Sequence, residues 1–200
     1  MKYFLVGITG QMGSGKSLFS SFFKKKGISV YSSDERGKFL MNQKEEIKKN
    51  IIKYFGKESY NKEKKINKIF LAKKIFNDSN ALKLLCSIVH PWVLLDFNNW
   101  ILSQKSFFSI KESALLFESG SYKKCDLIIT ISSPLEKKIE RIIKKDKLSE
   151  NKIISRIKNQ ISDVEKEKYS DIIVKNNKDI FFLQKKADKI YNKIIKYGKR

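Results

Sequence analysis

A glycine-rich octet near the start of the chain has the residue types needed to bind phosphate. Residues 10–17 read GQMGSGKS and fit the pattern G-x-x-x-x-G-K-[ST]. Glycines allow consecutive backbone N–H groups to turn toward one phosphate, and the amino end of a following helix adds partial positive charge. Lys16 has the length to reach the β- and γ-phosphates, and the Ser17 hydroxyl is a suitable ligand for Mg²⁺. The octet therefore predicts a site for a nucleoside triphosphate with Mg²⁺.

Two carboxylates follow predicted strands at the edge where α/β sheets carry their ligands. Asp34 comes just after a strand predicted at 28–31, and Glu118 ends a strand predicted at 113–117. Asp34 is placed to take the proton of a hydroxyl that attacks a γ-phosphate; the alternative is a cap for the helix that begins at Glu35. Glu118 is suited to hold a Mg²⁺-bound water or a substrate hydroxyl, or else to cap the next turn.

Four further polar residues are candidates for binding, each with a structural alternative. His90 precedes a proline in a helical region, where a lone histidine is more often packed than a ligand. Arg141 and Arg156 lie on predicted helices and are suited to clamp polyphosphate or to form surface ion pairs. Asn176 follows the last predicted strand, where its amide could read an adenine edge or form a turn.

Alternating strands and helices are expected to position these residues. Hydrophobic patterning predicts strands at 2–9, 28–31, 113–117, 127–132 and 171–174. Helices are predicted at 16–26, from Ser133-Pro134 onward with Ser133 as N-cap, at 149–162 and at 179–197, and the stretch 35–104 has helical patterning throughout, including the apolar residues Ile75 and Phe76. This order predicts an α/β fold with a parallel sheet covered by helices on both faces and an all-helical insertion after the second strand.

Composition narrows the class of protein. The 200 residues carry 43 Lys and Arg against 21 Asp and Glu, a net charge of +22, but only four of the basic residues are arginine. Because surfaces that read nucleic acid favour arginine, genome composition explains this charge better than a specific nucleic-acid partner. We expect no membrane span, since no apolar stretch approaches about 20 residues. Cys86 and Cys125 form no metal-like pair, and a cytoplasmic protein is expected.

The residues resemble the dephospho-CoA kinase family over nearly the whole chain. The resemblance begins in the phosphate-binding octet and continues in order and spacing to the last strand. Its blocks are residues 7–17 (GITGQMGSGKS), 27–30 with Asp34, 88–91 (IVHP), 114–118 (ALLFE), 122–126 (YKKCD), Arg141, 148–149, Arg156, Gln160 and 176–177.

The resemblance implies a P-loop kinase with three parts. Residues 1–34, 107–137 and 170–200 would form a core with a five-stranded parallel sheet flanked by helices. Residues 35–106 would form a helical insertion for the coenzyme A precursor, and 138–169 a small helical lid. The implied partners are ATP with Mg²⁺ and 3′-dephospho-CoA, in a monomer without a specific nucleic acid.

The implied reaction phosphorylates the ribose 3′-hydroxyl of 3′-dephospho-CoA and gives CoA and ADP. By match, Asp34 takes the position of the general base, His90 and Glu118 fall in substrate-side blocks, and Arg141 and Arg156 fall on the lid. The catalytic and nucleotide-binding residues implied are Asp34, Gly10, Met12, Gly13, Ser14, Gly15, Lys16, Ser17 (also the metal ligand), Leu18, Arg141 and Asn176.

Several positions depart from the family pattern. Leu18 stands where Thr is usual, Ser32 where Asp is usual, Lys38 where Arg is usual, Ala114 where Pro is usual and Lys178 where Gly is common. None removes the expected base or the phosphate-binding octet. The alternatives are another small-molecule P-loop kinase, of the nucleotide or shikimate type, or a P-loop ATPase acting on nucleic acid.

Overall fold

The computed structural model describes residues 4–75 and 78–198, and the chain forms two compact units. A sheet unit is built from described residues of 1–32 and 103–200, and a helical unit comprises Ser33–Leu102. The helical unit occupies most of the span in which a helical insertion was expected. Lys2, Tyr3 and Phe76, for which a strand and a helix were predicted, lie outside the described residues.

The sheet unit contains five parallel strands, as predicted. Their order across the sheet is β2-β3-β1-β4-β5, so β2 and β5 are the edges. The strands are β1 (Phe4–Thr9), β2 (Ser29–Ser32), β3 (Phe108–Glu112), β4 (Leu127–Ser132) and β5 (Ile172–Lys175).

Helices cover the sheet because its central strands are apolar on both faces. Val6, Ile110 and Ile131 are fully buried and pack with Phe19 and Phe23. The helices of the sheet unit are α1 (Lys16–Lys24), α6 (Leu135–Asp146), α7 (Glu150–Lys158), α8 (Asp163–Lys168) and α9 (Ile180–Gly198).

The prediction of a third strand at 113–117 is wrong. The strand is Phe108–Glu112, and residues 114–120 form turns. The polar residues Lys111 and Glu112 concealed the strand, although both are buried between its neighbours. The apolar residues 114–117 were predicted as a strand because they look buried. Leu116 is indeed buried, but it lies in a turn. Glu118 consequently lies six residues beyond the strand and not at its end.

Two helix boundaries also differ from those predicted. Pro134 occupies the N-cap of α6, and Ser133 donates its hydroxyl to the Asn176 carbonyl (2.8 Å) instead of capping the helix. The helix expected at 149–162 ends at Lys158, and α8 begins separately at Asp163. The break matters because it places Gln160 in the turn between α7 and α8.

The helical unit is held by an apolar core. Its helices are α2 (Ser33–Gln43), α3 (Glu45–Phe55), α4 (Lys68–Ile75) and α5 (Ser79–Leu102). Apolar residues at helical spacing meet in one cluster, which contains Leu40, Ile47, Ile51, Phe55, Leu71 and Val89. This packing provides the main stabilisation of the unit.

Within the described residues, the segment Asn80–Leu102 of α5 is long and apolar enough to cross a membrane by length and composition, with a mean hydropathy of 1.2 over an 18-residue window. This corrects the prediction that no apolar stretch approaches that length. The criterion is weak evidence for a membrane span, because a helix of a folded domain also meets it. The segment contributes Val89 to the core of the helical unit and includes the charged pair partner Asp96.

Candidate nucleotide-binding and catalytic site

The phosphate loop (residues 10–17) connects β1 to α1, which begins at Lys16. Gly13 and Gly15 have φ angles of 80° and 101°, in the left-handed region that favours glycine. A Cβ atom on Gly15 would lie 2.3 Å from the Asn176 side chain, and one on Gly13 would lie 2.7 Å from the Lys138 carbonyl. The glycines are therefore required by both conformation and close packing, as expected for a loop that turns its N–H groups inward.

The reactive end of the loop contains a lysine and a hydroxyl. Lys16 is buried, and its Nζ donates to the Gln11 carbonyl of the same loop at 3.1 Å. The Ser17 hydroxyl donates to Glu112 Oε1 at 2.8 Å. Glu112 is the last residue of β3 and pairs in register with Ile8 of β1, so the sheet itself delivers this carboxylate to the loop.

Sequence reasoning missed Glu112. The signal was available: a carboxylate at the carboxyl end of a buried strand, in the strand beside the one that carries the loop. Because the third strand was predicted at 113–117, Glu118 was expected to be the carboxylate at its carboxyl end. In the structure Glu112, and not Glu118, is the carboxylate at the end of the third strand, and it lies next to Ser17.

The Ser17–Glu112 pair fits Mg²⁺. Both side chains offer oxygen atoms, which this hard cation prefers, and Mg²⁺ usually takes only one or two protein carboxylates beside phosphate and water oxygens. Among the described residues there is no group of three or more His, Cys, Asp or Glu side chains arranged to hold a metal. A cation here would accordingly be shared with a nucleotide and would not be caged by protein.

Arg141 and Asn176 hold the outer side of the loop. The Arg141 guanidinium donates to Gly13 O (3.3 Å), Ser14 O (3.4 Å) and the Ser133 hydroxyl (3.0 Å), and to Asn176 O (2.9 Å). The Asn176 side-chain amide donates to Ser14 O at 2.8 Å. Because a trans peptide directs its N–H opposite to its carbonyl, the bonds to the Ser14 carbonyl direct the Gly15 N–H away from Arg141 and Asn176. Partial burial lowers the pKa of Arg141 from its ordinary value.

A second set of side chains holds the first half of the loop. The Gln11 N–H donates to Asp163 Oδ1 at 2.9 Å, and the Met12 N–H donates to Gln160 Oε1 at 2.8 Å. Lys138 donates to Gln11 Oε1 at 2.6 Å. These contacts were not predicted from the sequence, because the partners lie more than 120 residues apart and no local pattern marks them.

Glu118 is bonded to the segment that carries Gln160. Its Oε1 accepts from the Ile161 N–H at 2.9 Å and lies 3.1 Å from Lys166 Nζ. Lys166 is fully buried and also donates to the Ala114 carbonyl. In this structure Glu118 therefore joins the 114–120 turns to α8.

Two other predicted residues of this unit lie on its helices. Arg156 is on α7, and partial burial lowers the pKa of its guanidinium, while Asp146 acts in the opposite direction. Leu18 lies in the first turn of α1 with an exposed side chain. The structure thus brings residues 10–17, Arg141 and Asn176 together by direct hydrogen bonds.

Asp34 and His90 belong to the helical unit. Asp34 is the second residue of α2, two positions after β2 ends, and its side chain is exposed. It thus lies inside the first turn, where a carboxylate is favoured by the helix dipole, and not at the N-cap. His90 is half-buried on α5, immediately before Pro91.

Comparison with known proteins shows the family of this chain. The family model for dephospho-CoA kinase matches residues 4–181. A dephospho-CoA kinase of Fusobacterium nucleatum is 32% identical over 189 residues, covering 94% of this chain and 97% of the relative. One from Bacteroides fragilis is 36% identical over 174 residues, covering 86% and 84%.

A solved structure agrees as well. The dephospho-CoA kinase of Campylobacter jejuni is 28% identical, with a TM-score of 0.67 and coverage of 95% of this chain and 96% of that one. The fold is that of the P-loop kinases, and this class fits a loop with a lysine, a hydroxyl and a strand-end carboxylate. The chain belongs to the dephospho-CoA kinase family.

Proposed function

We propose that this kinase transfers the γ-phosphoryl group of ATP to the ribose 3′-hydroxyl of 3′-dephospho-CoA, giving CoA and ADP. The observation that carries the proposal is the phosphate loop with its Ser17–Glu112 pair, inside a chain that matches the family from residue 4 to 181. Reaction chemistry of this kind needs positioning and charge neutralisation more than covalent participation by the protein.

Lys16 and the loop N–H groups would hold the phosphates. Lys16 would place its positive charge beside the β- and γ-phosphates, where negative charge accumulates as the bond to the β–γ bridging oxygen breaks. Ser17 and Glu112 would hold Mg²⁺, which supplies further charge neutralisation when bound. Arg141 and Asn176 would support the nucleotide side through their bonds to the loop carbonyls.

Asp34 would act as the general base. As the 3′-oxygen forms its bond to the γ-phosphorus, the hydroxyl proton would pass to the Asp34 carboxylate. The support for this role is the match of Asp34 to the family block and its position just beyond the carboxyl end of β2. His90 and Glu118 match the substrate-side blocks and would contact 3′-dephospho-CoA, in part within the helical segment 35–106.

The segment 138–169 would serve as the lid. It contains most of α6 and all of α7 and α8, and it carries Arg141 and Arg156. We expect Arg156 to approach the polyphosphate when nucleotide is bound. We further propose a cytoplasmic monomer in which the high positive charge has no specific nucleic-acid partner.

A coupled assay of ADP release with a panel of hydroxyl acceptors tests the activity. The panel contains 3′-dephospho-CoA, CoA, nucleoside monophosphates and shikimate, each with and without added RNA or DNA. We expect ADP release only with 3′-dephospho-CoA, with CoA as the product and no response to nucleic acid. Stimulation by another acceptor would favour a different small-molecule kinase, and stimulation by nucleic acid would favour an ATPase.

Glu112→Gln tests the magnesium site. The amide keeps the shape of the carboxylate and still accepts from Ser17, but it loses the charge that attracts the cation. We expect the Mg²⁺ concentration for half-maximal activity to rise about tenfold or more, the size of loss seen when a metal site is perturbed. Glu136→Gln, on the first turn of α6, is the control and should keep the original Mg²⁺ requirement.

A further inference from the structure

A buried ion pair adjoins the phosphate loop without belonging to the predicted site. Lys138 Nζ lies 2.9 Å from Asp163 Oδ2, and the two residues are 5% and 8% exposed. Lys138 comes from α6, and Asp163 is the first residue of α8. Burying two charges costs much of what their attraction supplies, so such a pair is weak evidence for stability. Its position suggests another role.

Both members of the pair are bonded to the same loop residue. Asp163 Oδ2 faces Lys138, while its other oxygen, Oδ1, accepts from the Gln11 N–H at 2.9 Å. Lys138 also donates to Gln11 Oε1 at 2.6 Å. Gln11 is itself buried and donates its side-chain amide to the Ile157 carbonyl at 3.3 Å. The backbone and the side chain of Gln11 are thus each fixed by one member of the ion pair.

The same segment also fixes the next residue of the loop. The Met12 N–H donates to Gln160 Oε1, and the Met12 side chain packs against Ile142, Ile153 and Ile157 of α6 and α7. The Ser162 hydroxyl accepts from the Glu165 N–H and caps α8, which fixes the start of the helix that carries Asp163. Residues 11 and 12 of the phosphate loop are accordingly bound to the 138–169 segment.

We propose that Lys138 and Asp163 are positioning residues for ATP, acting through Gln11. Lys138 orients the Asp163 carboxylate so that Oδ1 meets the Gln11 N–H, and the two bonds hold residues 11 and 12 in the conformation that lets the following N–H groups face the phosphates. Neither side chain needs to touch the nucleotide. This role rests on the proposed use of ATP, and it makes the loop conformation dependent on the helical segment that follows β4.

The test uses a double variant that removes both charges. Lys138→Met with Asp163→Leu replaces the pair by apolar side chains of similar volume, an exchange that often leaves stability unchanged. Binding of ATP and Mg²⁺ is measured by titration calorimetry, KM values for ATP and 3′-dephospho-CoA by assay, and folding by thermal unfolding. We expect the Kd and KM for ATP to rise about 10- to 100-fold, as for the loss of a charge-assisted hydrogen bond, with little change in the KM for 3′-dephospho-CoA.

Glu167→Gln is the matched control. Glu167 pairs with Lys175 (2.6 Å) in the same cavity of about 450 Å³ that Lys138 and Asp163 line, but this pair joins α8 to β5 and not to the phosphate loop. The control should keep the wild-type Kd for ATP. If the double variant does not fold, Asp163→Glu keeps the charge while moving the oxygens by one methylene, and it should still raise the Kd for ATP several-fold.

The outcomes separate this inference from the proposed function. A folded double variant with the wild-type Kd for ATP would overturn the positioning role and leave the kinase activity standing, and an unchanged Kd in folded Asp163→Glu would do the same. A loss confined to thermal stability would assign the pair a purely structural role. Wild-type protein that binds no ATP would overturn the proposed function together with this inference.

Discussion

The two units of the chain bury different kinds of side chain. The sheet unit buries charged groups near the phosphate loop: Lys16, Glu112, Lys138, Asp163 and Lys166. In the helical unit, Ser59 is the only buried polar residue among those described, and the core consists of Leu, Ile, Phe and Val. Arg36 and Asp96 of this unit form a bidentate ion pair that is partly exposed.

Burying a charged group costs free energy, and among the described residues the chain does so in the sheet unit. Buried charges are tolerated only where partners satisfy them, and four of those in the sheet unit are bonded directly to the phosphate loop: Lys16, Glu112, Lys138 and Asp163. The helical unit is stabilised by apolar burial, and its two candidate site residues, Asp34 and His90, lie outside its buried core. Changes at the charges bonded to the phosphate loop should therefore alter nucleotide binding and rate, whereas changes in the apolar core of the helical unit should alter stability alone.

Lys16→Ala should produce the largest effect. It removes the only charged side chain of the loop, and the loss should resemble that of an arginine finger, roughly 10³–10⁵ in kcat. Circular dichroism and thermal unfolding of the variant check that the fold persists, and kcat is measured by coupled ADP release. Wild-type turnover in a folded Lys16→Ala protein would remove the phosphate loop from the mechanism.

Asp34→Asn tests whether the helical unit contributes to the chemistry. Asparagine keeps the shape of the side chain but cannot take a proton, so kcat should fall by roughly 10²–10⁴. The KM for ATP and the thermal stability should change little, which is the pattern of a lost transition-state interaction. Glu35→Gln, the neighbouring exposed carboxylate of α2, is the control. Unchanged kcat in Asp34→Asn would refute the assignment of the base.

Ile51→Ala tests the opposite expectation for the helical unit. Ile51 is fully buried in its core, and truncation should cost about 2–5 kcal/mol of unfolding free energy, measured by chemical denaturation. The kcat of the folded enzyme should stay close to wild type. Ile69→Ala, on α4 with its side chain 76% exposed, should cost far less. Equal losses in the two variants would contradict the description of the core.

The sequence allowed prediction of the features encoded locally. The phosphate loop, the strand before it and the helix after it follow from one contiguous pattern, and the parallel sheet follows from alternating strands and helices. Glu112 was missed because a strand that ends in Lys-Glu is not expected to be buried. The apolar run Ala114–Phe117 has the composition of a buried strand, so the strand was predicted there. The bonds from Asp163, Gln160 and Lys138 to the loop could not be predicted, since they depend on packing between segments distant along the chain.

Lys111, a buried charge of the sheet unit, should give the smallest effect, a pH-dependent change in the free energy of unfolding. It lies on β3 beside Glu112, is 3% exposed, and donates from Nζ to the Ser121 hydroxyl at 3.2 Å. The pKa of Lys111 is lowered from 10.5 to about 8, chiefly by burial, while the nearby Cys125 acts in the opposite direction and Lys124 adds to the lowering. The folded protein thus holds a proton on Lys111 at neutral pH against the cost of burying the charge.

The sign of the pH effect follows from proton linkage. Between pH 8 and pH 10.5 the unfolded chain keeps the Lys111 proton that the folded protein has released, so this residue makes unfolding free energy rise with pH. Below pH 8 Lys111 is protonated in both the folded and the unfolded state, and the folded protein bears the full cost of burying its charge. Lys111→Met removes the penalty, so the variant should be roughly 1–3 kcal/mol more stable than wild type at pH 7, less the lost bond to Ser121.

The measurement is chemical denaturation of wild type and variant at pH 7, 8, 9 and 10. The difference in unfolding free energy should shrink steadily above pH 8, because the wild type alone gains from release of the Lys111 proton. Lys123→Met, an exposed residue of the turn that contains Ser121, should show no such trend, and neither should substitutions in the apolar core of the helical unit. If the difference in unfolding free energy between wild type and Lys111→Met stays constant from pH 7 to pH 10, the buried charge of Lys111 does not destabilise the sheet unit. The contrast between the two units would then rest on the charged groups around the phosphate loop.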